Sequence, residues 1–339
     1  MRKDIHTIIV LIMIATLMTF NVEGSLGKIK IAVSIGVLKN IVEEIGGNRV
    51  EVFSIVPPNV EPHTFTITPQ VIYQASTARL IVIDGHMDWE MKLVEQVANA
   101  KGMKQSDISI NLMDYADKMT ILEIPSWTGV SGRNYHGYWI LPENVMVMAE
   151  AIKNKLSEID PEGVGYYEEN FAKLRGEIDA LKREIMNLRR KTSGVKAVLA
   201  FLAEQYVAYM FGLEIASILT IEEGGSPTPK TMETAYNTLK EGGIIIASDV
   251  SSKMPVYNTV QELSKQTGAP IIEVMITMER GYIPITMYNI GVISGMLLNR
   301  SIKHTSTQTS QEIPWVITVM LGITVAIESA YIYKIRRRM

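Results

Sequence analysis

The sequence predicts an α/β protein of two similar lobes, each a mainly parallel sheet flanked by helices. One long helix is expected to join the lobes, and a transmembrane helix is expected at the C-terminus. Short β-rich runs alternate with helical patterns, the order of these segments repeats in the second half, and a long polar segment with one apolar stripe separates the halves. Such alternation is typical of βαβ units, and likeness between halves over so long a distance indicates a duplicated domain.

The first lobe is predicted over residues 25–158. The runs KIKIAVSI, RVEVFSIV and RLIVIDG predict strands, and GVLKNIVEEIGG predicts a helix that ends at its paired glycines. The segment TPQVIYQASTA predicts a second helix with proline in its first turn. The second lobe, residues 193–300, repeats the scheme, since TPKTMETAYNTLKEGGIIIASD echoes TPQVIYQASTARLIVIDG.

A single helix is predicted to link the lobes over residues 159–192. Asp160 and Pro161 resemble an N-cap followed by proline at the first helical position. Apolar residues recur at spacings of three and four from Leu174 to Leu188, which indicates one buried stripe. About 30 helical residues at 1.5 Å each would span roughly 45 Å.

The ends of the chain predict export and membrane attachment. Residues 1–24 have the basic start, apolar stretch and small final residues of a secretory signal peptide; an uncleaved N-terminal anchor is the alternative. Residues 301–313 are polar and predict a flexible stalk, and residues 314–334 are long and apolar enough for a transmembrane anchor. The arginines at 336–338 predict a cytoplasmic tail, so we expect a single-pass protein of the cell membrane with its body on the extracellular side.

Composition argues against several classes of function. The formal net charge is −3 and the basic residues are spread along the chain, whereas nucleic-acid binding needs clustered basic charge. The chain contains no cysteine, so any metal must be held by nitrogen and oxygen ligands. Because the sequence has no P-loop, nucleophile elbow or HExxH motif, we do not expect an enzyme.

One histidine lies in a proline-rich loop, SIVPPNVEPHTFTITPQVI. Pro57, Pro58 and Pro62 precede His63, and Pro69 follows it. A loop that is stiff before its ligand arrives loses less conformational entropy on binding. A lone histidine in a loop is more often surface decoration, so the pattern raises the question of a preformed binding loop but does not by itself assign His63 a role.

Two segments carry a resemblance to a known family. The first, from IAVSIGVLKNIVEEIGGNRVEV through VPPNVEPHTFTITP to RLIVIDG, resembles the N-terminal lobe of the zinc/manganese solute-binding proteins of ABC transporters, the TroA-like group. The second, YHGYWILPENVMVMAEAI, is similar to that family's segment of histidine, tryptophan and proline before a helix. The likeness covers residues 28–298 and implies a receptor that binds Zn²⁺ or Mn²⁺ between two lobes and delivers it to a membrane permease.

The resemblance also implies a set of metal ligands. His63 falls on the family's first histidine, and His136 falls close to the second. The third position holds Phe201, which cannot coordinate a metal, so Glu204, one helical turn further on, is the expected substitute. Two imidazoles and two carboxylates would suit a divalent first-row metal.

The fourth ligand is open among several carboxylates. Asp249 is favoured because it follows a predicted strand, and ligands of open α/β sheets bind at the carboxyl ends of strands. Glu273 lies nearer the family's own position but reads as mid-strand, and Glu222 and Glu223 are weaker competitors. His86, in DGHMDWE, also follows a strand and is a further candidate.

A second kind of function competes with the metal receptor. The same scaffold could serve as a membrane-anchored interaction or adhesion protein whose metal site has degenerated. The altered third and fourth ligand positions favour this alternative, and metal content of the protein separates the two.

Overall fold

The computed structural model describes residues 27–58, 60–222, 224–277 and 280–305. The predicted signal peptide, residues 1–24, and the predicted transmembrane anchor, residues 314–334, lie outside these ranges. Within them, no helix is both long and apolar enough to cross a bilayer.

Two four-stranded parallel sheets form the centres of two α/β lobes, as the sequence predicts. The first sheet has the order β2-β1-β3-β4 and the second has the matching order β6-β5-β7-β8. The strands are β1 (Ile29–Val33), β2 (Val50–Ser54), β3 (Leu80–Ile83), β4 (Ser109–Asn111), β5 (Lys196–Phe201), β6 (Glu214–Thr220), β7 (Ile244–Ser248) and β8 (Ile271–Val274). The equal strand order supports the interpretation of a duplicated domain.

Ten helices accompany these strands in the part of the chain that the structure describes. They are α1 (Gly36–Gly46), α2 (Pro69–Ser76), α3 (Asp88–Lys101), α4 (Gln105–Ile108), α5 (Pro142–Ile159), α6 (Val164–Thr192), α7 (Gln205–Phe211), α8 (Pro229–Lys240), α9 (Val256–Thr267) and α10 (Tyr282–Thr305). Helices α2 and α8 begin alike, because the hydroxyls of Thr68 and Thr228 accept backbone hydrogen bonds from Val71 and Thr231. The echo seen in the sequence is therefore also a repeat of local structure.

The strand ends of the first sheet are level with one another. Val33 pairs with Ser54 on one side and with Val82 on the other. The strands β3 and β7 are buried along their whole length. Polar side chains therefore follow directly after the ends of these strands. In the first lobe, the buried Asp84 directly follows β3.

The linking helix begins later than predicted. Residues 142–159 form α5, a short 3₁₀ turn follows at Pro161–Gly163, and α6 starts at Val164. Its 29 residues carry a buried stripe that includes Leu174, Ile178 and Leu181. At 1.5 Å per residue the helix is roughly 44 Å long.

Asp160 does not cap this helix, contrary to the sequence prediction. Its carboxylate accepts hydrogen bonds from Arg49 Nε at 2.7 Å and Arg49 Nη2 at 2.8 Å, and from the Tyr167 hydroxyl at 2.5 Å. The bidentate pair joins the turn after α1 to the start of α6. The hydrogen bonds from Arg49 hold the pKa of Asp160 below its usual range.

The chain divides by its contacts into two compact units. The first extends to Ile293 and holds both lobes, and residues 294–305 are the described part of the second. Helix α10 continues to Thr305, so residues 301–305, predicted as the beginning of a flexible stalk, are helical instead. The remainder of the predicted stalk lies outside the described residues.

Substituting Asp160→Asn should lower the free energy of unfolding at pH 7 by about 1.5–3 kcal/mol, since a charged hydrogen-bonding partner is lost. A carboxyl group with a pKa lowered by folding stabilises the fold above its unfolded value, near 3.8, and loses that contribution as the pH falls through the lowered pKa. Urea unfolding should therefore show a difference in the free energy of unfolding between variant and wild type that is smaller at about pH 3 than at pH 7. The pair Lys155–Glu158, in which the carboxylate of Glu158 is exposed, supplies the control Glu158→Gln, for which a change below about 0.5 kcal/mol is expected. An equal loss for both variants would contradict this assignment.

Candidate metal site

Three histidines of the first lobe lie close together. The ring centroids of His63 and His136 are 5.0 Å apart, those of His63 and His86 are 5.2 Å apart, and those of His86 and His136 are 6.3 Å apart. Imidazoles bound to one tetrahedral ion at the usual Zn–N distance would have centroids roughly 5 Å apart. The three rings are thus neighbours, but among the described residues their nitrogen atoms do not form a group within 4.8 Å of one another, so a shared ion would have to draw the rings closer.

His63 is the exposed member of the cluster and lies on the 3₁₀ turn Pro62–Thr64. The carboxylate of Glu61 accepts a hydrogen bond from the backbone N–H of His63 at 2.9 Å, which begins the turn. The indole N–H of Trp89 donates to the carbonyl of Pro62 at 2.8 Å and anchors the loop to the start of α3. The loop is therefore held both by a hydrogen bond within it and by a hydrogen bond from the neighbouring helix.

His86 is oriented by a buried carboxylate. Its Nδ1 is hydrogen-bonded to Asp84, whose other oxygen accepts a hydrogen bond from the Tyr138 hydroxyl. Because an ionised carboxylate can accept but not donate, the neutral imidazole of His86 carries its hydrogen on Nδ1 and keeps its lone pair on Nε2. Nε2 is buried and has no hydrogen-bond partner.

The turn that carries His86 depends on Gly85 and Glu90. Gly85 has a φ of 95°, and a Cβ there would lie 1.7 Å from the side-chain oxygen of Asn111. The buried carboxylate of Glu90 accepts the backbone N–H groups of Asp84 at 2.9 Å, Gly85 at 2.7 Å and Met87 at 3.2 Å. These bonds fix the backbone on either side of the imidazole.

The pKa values of this network follow from burial and charge. Burial lowers the pKa of His86, but the hydrogen bond to Asp84 and the charges of Asp84 and Glu90 outweigh it, so the pKa is raised. Burial and the charge of Asp84 raise the pKa of Glu90. Burial, with the nearby His63 and His86, lowers the pKa of His136 to about 4. His136 is therefore a neutral imidazole at physiological pH, which is the form that binds metals.

His136 is held largely by the second lobe. The side chain of Asn134 accepts the backbone N–H of His136 at 2.9 Å and donates to the carbonyl of Leu202 at 3.1 Å and to Gln205 at 2.9 Å. Gly137, which follows the histidine, has a φ of 94°, and a Cβ there would lie 2.9 Å from a backbone oxygen of the second lobe. We name residues 134–140 the His136 segment.

The ring of Phe201, a residue of the second lobe, lies beside the histidine cluster. It is the last residue of β5, and its ring centroid lies 5.8 Å from that of His136. The resemblance drawn from the sequence predicts that Phe201 stands at the family's third ligand position. The side chain that meets the histidines there is an apolar ring.

Glu204 is placed differently from the sequence expectation of a ligand. Its carboxylate is fully buried and accepts the backbone N–H of Phe201 at 2.8 Å and the hydroxyl of Ser251 at 2.5 Å. One oxygen thus closes the turn after β5, and the other ties that turn to Ser251, which follows β7. Burial raises the pKa of Glu204 to about 7.

The other predicted carboxylates also have structural partners. Asp249 accepts the backbone N–H of Ile276 at 2.8 Å and both the N–H and the hydroxyl of Thr277, which ties the end of β7 to the end of β8. The exposed Glu273 accepts the hydroxyl of Tyr257 at 2.6 Å.

One group of three ligand-type side chains is compact among the residues described. Asp84, His86 and Glu90 offer ligand atoms within 4.8 Å of one another, and neither Glu204 nor Asp249 belongs to such a group. Glu222 is exposed, and Glu223 lies outside the described residues. The sequence signal for His86 was its position shortly after a buried strand, because ligands of open α/β sheets bind at the carboxyl ends of the strands.

Comparison with known proteins identifies the class. The family model described as zinc-uptake complex component A, periplasmic (ZnuA), matches residues 31–294, and the chain belongs to this family. The resemblance drawn from the sequence is thereby confirmed.

Individual relatives are distant but cover most of the chain. The manganese ABC transporter substrate-binding lipoprotein PsaA of Streptococcus pneumoniae is 24% identical over 285 residues, which span 79% of this chain and 88% of PsaA. The iron-binding protein YfeA of Yersinia pestis is 24% identical over 291 residues, which span 83% of this chain and 90% of YfeA. The periplasmic zinc-binding protein TroA from Treponema pallidum shares the fold with a TM-score of 0.61 at 18% identity, over 80% of this chain and 99% of TroA.

The buried Glu204 makes stability depend on pH. A carboxyl group with a pKa raised by folding stabilises the fold below its unfolded value and loses that contribution as the pH rises through the folded pKa. Between pH 4.5 and about 7 the wild type should lose roughly 3 kcal/mol from this group. Glu204→Gln, which keeps an acceptor for Phe201, should lack this loss.

Urea unfolding of both proteins at pH 5 and pH 8 measures the difference. We expect the variant to gain stability relative to the wild type at the higher pH. Parallel behaviour of the two proteins across this range would show that Glu204 is ionised in the folded state.

Proposed function

We propose that the protein is the solute-binding receptor of an ABC importer, which captures a divalent transition-metal ion outside the cytoplasm and delivers it to the membrane permease. The observation that carries the proposal is the cluster of His63, His86 and His136 at the carboxyl edge of the first sheet. Membership of the zinc-uptake component A family supports a role in metal transport for this cluster. Substrate binding without turnover fits this role, so no enzymatic activity is proposed.

The proposed cargo is Zn²⁺ or Mn²⁺, held by His63 and His136 between the lobes. Relatives are named for manganese, iron and zinc, so their names do not select the ion. Nitrogen donors suit both proposed ions, and zinc accepts them readily in tetrahedral geometry. The roles predicted for Glu204 and Asp249 receive no support from their positions, since their oxygens are engaged by other residues.

The proposed location is the cell membrane, with the body on the extracellular side. A signal peptide at residues 1–24 would export the chain, and a single helix at residues 314–334 would anchor it with its basic tail in the cytoplasm. The matching family is described as periplasmic and PsaA is named a lipoprotein, which supports a location outside the cytoplasm. This chain has no cysteine for a lipid anchor, which is why a helical anchor is proposed.

A second function is favoured by a specific observation. Phe201 stands where a ligand is expected, and the carboxylates of Glu204 and Asp249 are engaged elsewhere. A surface interaction or adhesion protein on the same scaffold, with a degenerate metal site, would have these features. Such a protein would bind neither zinc nor manganese.

Metal binding tests the receptor directly. His63→Ala should lower the affinity for zinc by at least about 100-fold, because loss of a ligand should exceed the 10–100-fold typical of residues that orient one. Calorimetry on the purified protein, with metal content by mass spectrometry, measures the effect. Thr66→Ala, an exposed change on the same loop, is the control and should leave affinity unchanged. Failure of the wild type to bind zinc or manganese would favour the interaction protein.

Truncation tests the proposed anchor. Deleting residues 306–339 should move the exported protein from the membrane fraction to the soluble fraction, because the proposed span is lost. Deleting residues 335–339 alone leaves the span and should leave the protein with the membrane. Fractionation followed by immunoblotting distinguishes the two, and membrane retention after the longer deletion would contradict the anchor.

A further inference from the structure

We propose that His86 binds the cargo ion through Nε2, so that the first lobe alone supplies three nitrogen ligands. This inference rests on the proposed function and changes the expected ligand set, since it replaces a carboxylate of the second lobe by an imidazole of the first. It also narrows the cargo: zinc, rather than manganese, is the ion that such a site prefers.

The orientation of His86 leaves Nε2 available for a metal. Nδ1 is bonded to the buried Asp84, and Nε2 is buried without a hydrogen-bond partner. Buried polar atoms are nearly always satisfied, so an unpartnered ring nitrogen points to a ligand. Its ring lies 5.2 Å from that of His63 and 6.3 Å from that of His136, centroid to centroid.

The surroundings of His86 are those of an oriented metal ligand. Metal-bound histidines commonly donate their other ring N–H to a carboxylate, which fixes the ring and raises its basicity. Asp84 fills this role and is itself fixed by the Tyr138 hydroxyl. The ring of Tyr135 stacks on that of His86 at 5.5 Å and limits its rotation.

Asp84 and Glu90 are better placed to orient His86 than to bind the ion themselves. Glu90 accepts three backbone N–H groups, and Asp84 accepts from Tyr138 and His86. A metal among these oxygens would have to displace the bonds that shape the turn. The compact group of Asp84, His86 and Glu90 is therefore a support for one ligand, and Nε2 of His86 is the ring nitrogen left for the ion.

The second lobe contributes an apolar surface to this arrangement. The ring of Phe201 packs against His136, while Glu204 and Asp249 bind their own neighbours. Three imidazoles without a carboxylate favour zinc over manganese, because manganese prefers oxygen ligands and binds more weakly in the Irving–Williams order.

Ligand substitution in the full-length protein tests the inference. We expect His86→Ala to lower zinc affinity by at least about 100-fold, as for His63→Ala. Glu204→Gln and Asp249→Asn are matched controls on the second lobe, and each should stay within about threefold of the wild type. Wild-type affinity for zinc should exceed that for manganese, measured by competition with a chelator.

Each contrary outcome has a distinct meaning. Unchanged zinc affinity in His86→Ala, with a large loss in Glu204→Gln or Asp249→Asn, would overturn the inference and leave the receptor intact. A wild type that binds no metal would overturn the proposed function itself.

A spectroscopic measurement covers the case in which His86→Ala does not fold. X-ray absorption at the zinc edge of the loaded wild-type protein counts the imidazoles around the ion. Three imidazoles are expected, and two imidazoles with carboxylate oxygens would overturn the inference.

Discussion

The hydrogen-bonded chain from Tyr138 through Asp84 to His86 is the interaction on which the site depends. Asp84 follows the central strand β3 and is fully buried, so its charge is stable there only with the donors that surround it. The same carboxylate ties the His136 segment, through Tyr138, to the strand end and to the loop of His86. Loss of this one group would release His86 and would remove one of the bonds that hold the His136 segment.

Much of the fold could be predicted because its signals are local. Parallel strands buried on both faces read as continuous apolar runs, as Leu80–Ile83 does, and threonine followed by proline marks the starts of α2 and α8. The start of the linking helix could not be placed in this way. Asp160 is followed by proline, as an N-cap often is, but its carboxylate accepts hydrogen bonds from Arg49, which is 111 residues away in the chain. A long-range ion pair leaves no trace in the local pattern.

The histidines of the site could be predicted better than its carboxylates for a related reason. The proline-rich loop marks His63 by its neighbours in sequence, and the structure brings His136 to it. An acidic residue after a strand carries no mark of what it binds. Glu204 accepts a hydrogen bond from the hydroxyl of Ser251, which lies 47 residues further along the chain. Asp249 accepts one from the backbone N–H of Ile276, just after the end of the next strand. These carboxylates brace the second sheet, and their partners become visible only when the strands are paired.

The order of the anchors along the chain bears on the assembly of the site. The backbone turns that carry His63 and His86 are closed by carboxylates at Glu61 and Glu90, whereas the segment of His136 is bonded to residues near Leu202, and Trp139 within it donates to the carbonyl of Ile276 at 2.9 Å. Two imidazoles therefore lie on turns whose closing groups belong to the first lobe, and the third is set only when the two lobes have packed together. The completeness of the histidine cluster thus depends on the docking of the lobes, although all three histidines belong to one of them.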